Sequence, residues 1–488
     1  MVGHTASEGI PSWFLVLPDS ASAARVGGAM RHRATQVIGH PSGRPWLLGH
    51  WPDGSLEVGQ AGQAKIAIIG EHAVTASRLT GAANRTAAVV DLDPLAASLV
   101  GSFHLVASVA GRVRVQGTVT GLRRVFHARV GDVTVAADRA DVLADVLDAE
   151  LDEQRLAVHL LDSSALYPLA GEPVWRGVSA LPTNHYLVLD GGDRQRSVRW
   201  WTPPEPVVPM AEGAWALREA LSAAVDARVR GRDLVSADLG GLDSTSVCCL
   251  GARGGAKMVA YTADGRDPMA ADVAWASRTV AALGNVEHHV IPGDRLPMVY
   301  HGLQDIHDRF DEPCPAAVHL SRWLVIPQLA AARGSRLHLT GFGGDELLAG
   351  SPAHLHAMMR THPTLALRHV RGFATQRPWL YRETLRQLLD NRSYRAWLAR
   401  VGDHLTALPS PQDTPTLDWG VPPRLPPWAT PNAVEAVREL IRAAAPTAEP
   451  LAQQRGQHVE LEAMRSTSRL VRQLSQVASR LGSPLAAP

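Results

Sequence analysis

The chain has 488 residues, of which 45% are apolar and 19% are charged, and its formal net charge is +1. This balance is typical of a folded globular protein of two or three domains, and a net charge so close to zero favours neither nucleic acid nor a membrane as a partner. The three cysteines, Cys248, Cys249 and Cys314, form no spaced disulfide framework. Together with an N-terminus unlike a signal peptide and no apolar run of membrane-spanning length, they predict a reduced, cytoplasmic setting.

The first 200 residues are predicted to be rich in β-strands. Short runs of alternating apolar residues recur there, and Gly, Asp and Pro separate them. Two stretches with Leu and Val at helical spacing, Arg139 to Ala149 and Gln154 to Leu161, predict helices. Strands on both sides of helices indicate an α+β fold. The predicted strands are Trp13 to Leu17, Ala64 to Gly70, Phe103 to Val109, Arg112 to Gln116, Val133 to Ala137 and Tyr186 to Leu189.

The proline-rich segment Trp200 to Pro206 predicts a boundary between a domain of residues 1–200 and a domain of residues 201–488. Beyond this segment strands and helices alternate, which favours a parallel sheet with helices on both faces. Residues 405–432 are dense in proline and predict a long loop. The predicted strands are Leu234 to Leu239, Met258 to Thr262, Glu287 to Ile291 and Arg336 to Thr340, and the predicted helices are Glu212 to Arg230, one from Ser244, Ala271 to Leu283, Ala317 to Ala332 and residues 455–482.

The segment Asp238 to Thr245 places two glycines between a predicted strand and a predicted helix. The glycines let the backbone approach an anion closely, and the amide groups at the start of the helix can hold a phosphate. Asp243 would repel a phosphate unless a cation lay between them, so its presence predicts Mg²⁺. The spacing matches neither a Walker loop nor a dinucleotide-binding motif. The alternative is an ordinary turn in which Asp243 caps the helix.

A second glycine-rich turn, Leu339 to Gly350, also lies at the end of a predicted strand. Open parallel sheets bind ligands beyond the carboxyl ends of their strands, so we expect the two turns to meet around one nucleotide. Asp243 and Asp345 would then hold Mg²⁺ on its β- and γ-phosphates from opposite sides and neutralise the pyrophosphate leaving group. A capped turn without a ligand is the alternative here as well.

The two turns resemble the Ser-Gly-Gly-x-Asp-Ser pyrophosphatase loop and the Gly-x-Gly-Ser/Gly-Asp-Glu segment of the asparagine synthetase superfamily. Residues 99–103 and Trp175 to Pro182 are similar to that family's glutaminase-like domain, and Trp200-Trp201 is similar to the motif that joins its two domains. The resemblance covers almost the whole chain. It implies an Ntn-type, glutaminase-like α+β sandwich, followed by an α/β parallel-sheet synthetase domain of the adenine-nucleotide-hydrolase type, with ATP and Mg²⁺ as cofactors.

Within the family, the residues resemble those of enzymes that use an amine of the substrate. Glutamine-dependent members carry a nucleophilic cysteine directly after the initiator Met, whereas Val2 follows Met1 here, so the glutaminase-like domain is expected to be inert. The segment Asp311-Glu312-Pro313 and the Gly-Gly-Asp-Glu form of the second turn resemble the macrolactam cyclases of lasso peptides. Phe342 stands where β-lactam synthetases have a catalytic Tyr and asparagine synthetases have Glu, so we expect it to pack or to shape a pocket.

The implied reaction closes a ring within a precursor peptide. The side-chain carboxylate of an internal Asp or Glu attacks the α-phosphate of ATP, and the peptide's N-terminal amine captures the acyl-adenylate. A leader-binding protein and a leader peptidase are the further partners that the resemblance implies. Asp243 and Asp345 are the predicted metal ligands and catalytic residues, and Asp311 and Glu312 are either general bases or carboxylates of the loop or of the metal's surroundings. The predicted nucleotide-binding residues are Leu239, Gly240, Gly241, Asp243, Ser244, Thr245, Tyr261, Thr340, Gly341, Gly343 and Gly344.

Two features depart from the family's pattern. Leu239 replaces the opening Ser of the pyrophosphatase loop, which removes one hydroxyl contact to pyrophosphate. The segment similar to Arg472 to Pro488 continues in the family into a further helical stretch with a lysine, which neither Lys65 nor Lys257 matches. Either the sequence is a fragment of a longer chain or the natural protein is truncated, and in the second case we expect it to cyclise weakly or not at all. Two alternatives stay open, namely a small-molecule amide or β-lactam synthetase and an inactive scaffold that binds the precursor peptide.

Overall fold

The computed structural model describes residues 12–162, 166–191, 194–267, 269–408 and 414–488. Met1 and Val2, on which the expected inertness of the first domain rests, lie outside these ranges. The N-terminal helices are α1 (Ala21–Met30), α2 (Ala76–Ala83), α3 (Asp93–Ser98), α4 (Ala140–Leu147) and α5 (Glu153–Val158). The N-terminal strands are β1 (Trp13–Val16), β2 (Gln36–Gly39), β3 (Pro45–His50), β4 (Leu56–Ala61), β5 (Ala64–His72), β6 (Gly101–Val109), β7 (Arg112–Gln116), β8 (Phe126–Val130), β9 (Val133–Ala137), β10 (Val178–Ala180), β11 (His185–Leu189) and β12 (Gln195–Arg199).

These strands form two six-stranded sheets, in the orders β10-β8-β9-β1-β3-β2 and β12-β11-β7-β6-β5-β4. Successive side chains of a strand point to opposite faces, and β1 follows this rule. Phe14 and Val16 pack between the sheets, whereas Leu15 packs under α1 and α4. Ile66 and other residues of β5 pack under α2 on the outer face of the second sheet. The N-terminal part is therefore an α+β sandwich with the layers helix, sheet, sheet, helix, as expected for its fold class.

The C-terminal part is built on a five-stranded sheet in the order β15-β14-β13-β16-β17, and every pair of neighbouring strands is parallel. This arrangement confirms the predicted parallel sheet. Its strands are β13 (Leu234–Asp238), β14 (Lys257–Ala263), β15 (Val286–Ile291), β16 (His338–Leu339) and β17 (Leu485–Ala486). The helices that connect or cover them are α6 (Met210–Val229), α7 (Leu242–Gly251), α8 (Asp272–Leu283), α9 (Leu320–Trp323), α10 (Val325–Ala332) and α11 (Gly344–Leu348).

A helical region follows α11 and is attached to both parts of the chain. Its helices are α12 (His354–Thr361), α13 (Pro363–Gln376), α14 (Tyr381–Leu389), α15 (Tyr394–Asp403), α16 (Pro431–Ala444) and α17 (Arg455–Arg480). The Thr430 side chain accepts a hydrogen bond from the Ala433 N–H at the start of α16, where Pro431 provides a preset φ. Trp397 and Ile441 of this region share a hydrophobic cluster with Val158 of α5. The 26 residues of α17 then lead back to the last strand of the parallel sheet.

Two predicted elements differ from the observed ones for local reasons. The helix predicted over Ala317 to Ala332 is interrupted at Leu324, because Pro327 has no N–H to donate to the carbonyl four residues earlier. The strand predicted over Arg336 to Thr340 is regular only at His338–Leu339, although the Thr340 N–H donates to the Ala486 carbonyl and continues the ladder. Within the described residues, no helix combines the length and the apolar character needed to cross a membrane.

Candidate functional site

The two predicted turns lie side by side at the carboxyl edge of the parallel sheet. The first joins β13 to α7 and the second joins β16 to α11, and β13 and β16 are paired directly, with Ala237 opposite Leu339. The sheet therefore delivers both turns to the same end, as the topology of parallel strands requires.

The turns are also in direct contact, and their glycines make this contact possible. A Cβ on Gly341 would lie 2.5 Å from the backbone nitrogen of Ser244, and a Cβ on Gly344 would lie 2.3 Å from Cγ of Asp243. Gly343, between them, has a φ of +100°, which other residues rarely adopt. The second turn thus needs glycine both for its conformation and for its closeness to the first.

An open cleft of about 620 Å³ lies over the two turns. Asp243 and Asp345 both line it. Burial raises the pKa of the Asp243 carboxyl above its ordinary value, and the negative charges of Asp345 and Glu346 raise it further. The lining residues are Asp238, Gly241, Leu242, Asp243, Ser244, Thr340, Gly341, Phe342, Gly343, Asp345, Glu346, Thr467 and Leu470.

The acidic lining of this cleft fits a divalent cation shared with a phosphate ligand. Asp243, Asp345 and Glu346 place like charges close together, which is unfavourable unless a cation or protons compensate them. Across the described ranges, no group of three or more His, Cys, Asp or Glu side chains is arranged to enclose a metal ion. Mg²⁺ is commonly held by one or two carboxylates together with substrate phosphates rather than by a complete protein cage. The residues present therefore fit Mg²⁺ only together with a nucleotide.

Comparison with known families decides what kind of protein carries this cleft. The model of the family described as asparagine synthase matches residues 216–480, which is more than half of the chain. The chain belongs to the asparagine synthase family. As a member it is an ATP-dependent ligase that forms amides. The match includes both turns and all of α17.

The solved structures that align with the chain include two of low similarity. The first, "Structure of the allosteric regulatory enzyme of purine biosynthesis", shares 12% identity and is aligned over 60% of this chain and 82% of its own with a TM-score of 0.25. The second is a glutamine phosphoribosylpyrophosphate amidotransferase from B. subtilis complexed with ADP and GMP, with 13% identity over 68% of this chain and 90% of its own and a TM-score of 0.25. These scores are too low to bear on the fold. No curated protein matches the chain.

The asparagine synthase cleft contains most, but not all, of the residues proposed for nucleotide binding. Leu239, Gly240, Thr245, Gly344 and Tyr261 do not line it. Leu239 is 3% exposed and packs in the core of the sheet, and its N–H donates to the Tyr261 carbonyl. The Tyr261 side chain is 2% exposed and packs beneath the sheet with Val259 and Ile291. For Leu239 and Tyr261, a contact with the nucleotide therefore has no support in this arrangement of side chains.

Asp311 and Glu312, proposed as general bases, lie away from the cleft in a buried ion-pair cluster. They are 0% and 5% exposed, and both are paired with Arg472 of α17. Arg124 of the N-terminal part lies 3.5 Å from Glu312, and Arg469 lies 3.6 Å from it. Burial raises the pKa of Glu312, but Arg472, Arg469 and Arg124 outweigh this effect and lower it to about 2. Glu312 is therefore a poor base, and the ion pairs of Asp311 and Glu312 with Arg472 and Arg124 join α17 to the N-terminal sandwich.

Several residues that line the cleft were not among the site residues predicted from the sequence. Glu346 follows Asp345 directly in the second turn, and its side chain accepts a hydrogen bond of 2.5 Å from the Thr467 hydroxyl. Asp238 ends β13, and its carboxylate lies 3.0 Å from Nε2 of His338. The positions of Glu346 and Asp238 beside glycine-rich turns could have indicated them. Thr467 and Leu470 carry no such signal, because they lie on α17, where Thr467 is 121 positions beyond Glu346. Phe342 lines the cleft, in agreement with its expected role in shaping a pocket.

Proposed function

We propose that this asparagine synthase family member is a macrolactam cyclase, which joins an internal Asp or Glu side chain of a precursor peptide to the peptide's own N-terminal amine. ATP activates the carboxylate as an acyl-adenylate, pyrophosphate leaves, and the amine displaces AMP. This is the reaction of lasso-peptide cyclisation.

The contact of two glycine-lined turns over one cleft, each with an aspartate facing it, carries this proposal. Unpaired N–H groups in the first turn of α7 offer hydrogen bonds to a phosphate, and the glycines keep side chains out of the way. Asp243 and Asp345 would hold Mg²⁺, which supplies neutralising charge to the phosphates when bound. Glu346, fixed by Thr467, adds a third negative charge that raises the demand for a cation.

The cysteines support an amine of the substrate, rather than glutamine, as the source of nitrogen. Cys248, Cys249 and Cys314 belong to the C-terminal part, and burial raises the pKa of Cys248 and of Cys314 to about 12. Neither of these two thiols is ionised at neutral pH, so neither is suited to release ammonia from glutamine. An amine on the substrate is the simplest nucleophile for such a site. Phe342, without the acid–base group that Tyr or Glu would offer at this place, favours the cyclase over the other amide-forming members.

The test follows each half of the reaction separately. The chain is mixed with ATP, Mg²⁺ and labelled pyrophosphate, together with linear peptides that carry a free N-terminus and one Asp or Glu at stepped positions. We expect peptide-dependent exchange of label into ATP, and by mass spectrometry a product lighter by one water together with AMP. The same peptides with an acetylated N-terminus should support exchange without ring closure.

The alternatives predict other results in the same assay. Exchange that requires free amino acids rather than peptides would identify a small-molecule amide synthetase. Peptide binding without exchange at any Mg²⁺ concentration would identify a scaffold.

A further inference from the structure

A second, smaller cavity of about 230 Å³ adjoins the nucleotide cleft. The two share Thr467 and Leu470 of α17 as lining residues, so they lie side by side along this helix. The cavity is smaller than the roughly 300 Å³ at which pockets for whole small molecules begin. It therefore suits the end of a chain rather than an entire substrate.

Gln473 lines this cavity and has an unused hydrogen-bond acceptor on its side chain. The side chain is 1% exposed, and its Nε2 is fixed by a hydrogen bond of 3.0 Å to the Pro313 carbonyl. The Oε1 atom on the same amide is buried and has no hydrogen-bond partner. A buried acceptor without a partner costs free energy, which a ligand N–H would recover.

An aromatic wall connects the cavity to the cleft. The ring of His319 stacks on Trp323, with centroids 5.0 Å apart, and Trp323 meets Phe342 of the cleft edge-on at 6.2 Å. Within the described ranges, the ring nitrogens of His319 take part in no hydrogen bond with the protein. A histidine held by stacking, with free nitrogens beside an active site, is suited to proton transfer.

We propose that this cavity seats the amine that attacks the acyl-adenylate, an assignment that rests on the proposed function. Gln473 Oε1 accepts one N–H of the amine and orients its lone pair towards the cleft. The nitrogen forms its bond to the acyl carbon, and the bond from that carbon to the AMP oxygen breaks with its electron pair leaving on AMP. A ring nitrogen of His319 takes the proton that the nitrogen loses.

The experiment separates adenylation from capture. An N-acetylated peptide supplies the adenylate without an amine of its own, and glycinamide or hydroxylamine is added as the nucleophile. Hydroxylamine is uncharged at neutral pH and attacks without help from a base. We expect His319→Asn to slow capture by glycinamide by about 100-fold, while capture by hydroxylamine and pyrophosphate exchange stay at native rates. His369→Asn, at an exposed position of α13, is the matched control and should change neither.

A second variant tests whether Gln473 binds the attacking amine. Gln473→Met keeps the length of the side chain and removes the acceptor, and it should raise the KM for glycinamide by about tenfold without affecting exchange. Native capture of glycinamide by both variants would overturn the inference and leave the proposed function intact. Failure of the native chain to exchange pyrophosphate would overturn both.

Discussion

The protein contains two groups of acidic residues on which its function was expected to depend, and the structure treats them in opposite ways. Asp243 and Asp345 share an open cleft in which their charges repel, and the pKa of Asp243 is raised. Asp311 and Glu312 are buried against Arg472, and the pKa of Glu312 is lowered. Among the ion pairs of the described residues, none compensates the first group, so it is suited to bind a cation, whereas arginines balance the charges of the second group. The position of the nearest arginine, rather than the acidity of the segment, separates a binding site from a structural ion pair.

The largest effect is expected when Arg472, the arginine that both buried carboxylates share, is removed. Arg472→Met leaves Asp311 and Glu312 buried without their shared partner, so we expect a loss of about 3–5 kcal/mol in the free energy of unfolding. Urea denaturation measures it. Arg442→Met, at an exposed pair with Glu435 on α16, is the control and should cost no more than about 1 kcal/mol.

The same cluster predicts how stability depends on pH. Since the pKa of Glu312 is lowered from 4.5 to about 2 on folding, its stabilising effect is complete above the unfolded pKa and disappears as the pH falls through this range. The native protein should therefore lose stability there more steeply than Arg472→Met does. An equal slope for the two proteins would place the acid-sensitive carboxylates elsewhere.

In the cleft, removing an acidic side chain should lower activity rather than stability. Asp345→Asn removes one of the two carboxylates proposed to hold Mg²⁺ and should lower pyrophosphate exchange by about 10²–10³-fold. The melting temperature should not fall, because Asp345 is exposed and takes part in none of the ion pairs found among the described residues. A variant with native exchange would remove Asp345 from the site.

The contact between the two turns can be disrupted without substituting a charged residue. Gly344→Ala places a methyl group 2.3 Å from Cγ of Asp243, so we expect a loss of about 1–3 kcal/mol in stability and a weaker affinity for Mg²⁺ and ATP. Gly372→Ala in α13, where an added Cβ meets nothing within 4 Å, should instead be neutral or stabilising. Calorimetry on both variants, with and without ATP, measures the difference.

The smallest expected effect is a gain in stability when a carboxylate is removed from the cleft, opposite to the loss expected for the buried cluster. Because the pKa of Asp243 is raised in the folded protein, its carboxylate destabilises the fold once the pH exceeds the unfolded pKa. Asp243→Asn should therefore stabilise the nucleotide-free protein by up to about 1 kcal/mol at neutral pH and by less at pH near 3. The exposed Asp53→Asn is the control, and thermal unfolding at the two pH values measures the change.

Features that depend on neighbouring residues could be predicted from the sequence, whereas contacts between residues far apart in the chain could not. A glycine pair followed by an aspartate, directly after an apolar strand, was sufficient to predict each turn, and the parallel sheet predicted that the two turns meet. The burial of Asp311 and Glu312 in an ion-pair cluster could not be predicted in this way. Their partner Arg472 lies 161 and 160 positions away, and only the folded chain brings its helix next to them. The cavity beside Gln473 has the same origin, since α17 reaches the aromatic wall of His319 and Trp323 only through tertiary packing.

The central claim is that Asp243 and Asp345 act together on one Mg²⁺–nucleotide complex. A double-mutant cycle on pyrophosphate exchange, with Asp243→Asn, Asp345→Asn and the combined variant, tests it most directly. If both carboxylates serve the same ion, the combined variant should be hardly less active than the worse single variant. Losses that multiply would show two independent sites and contradict the claim.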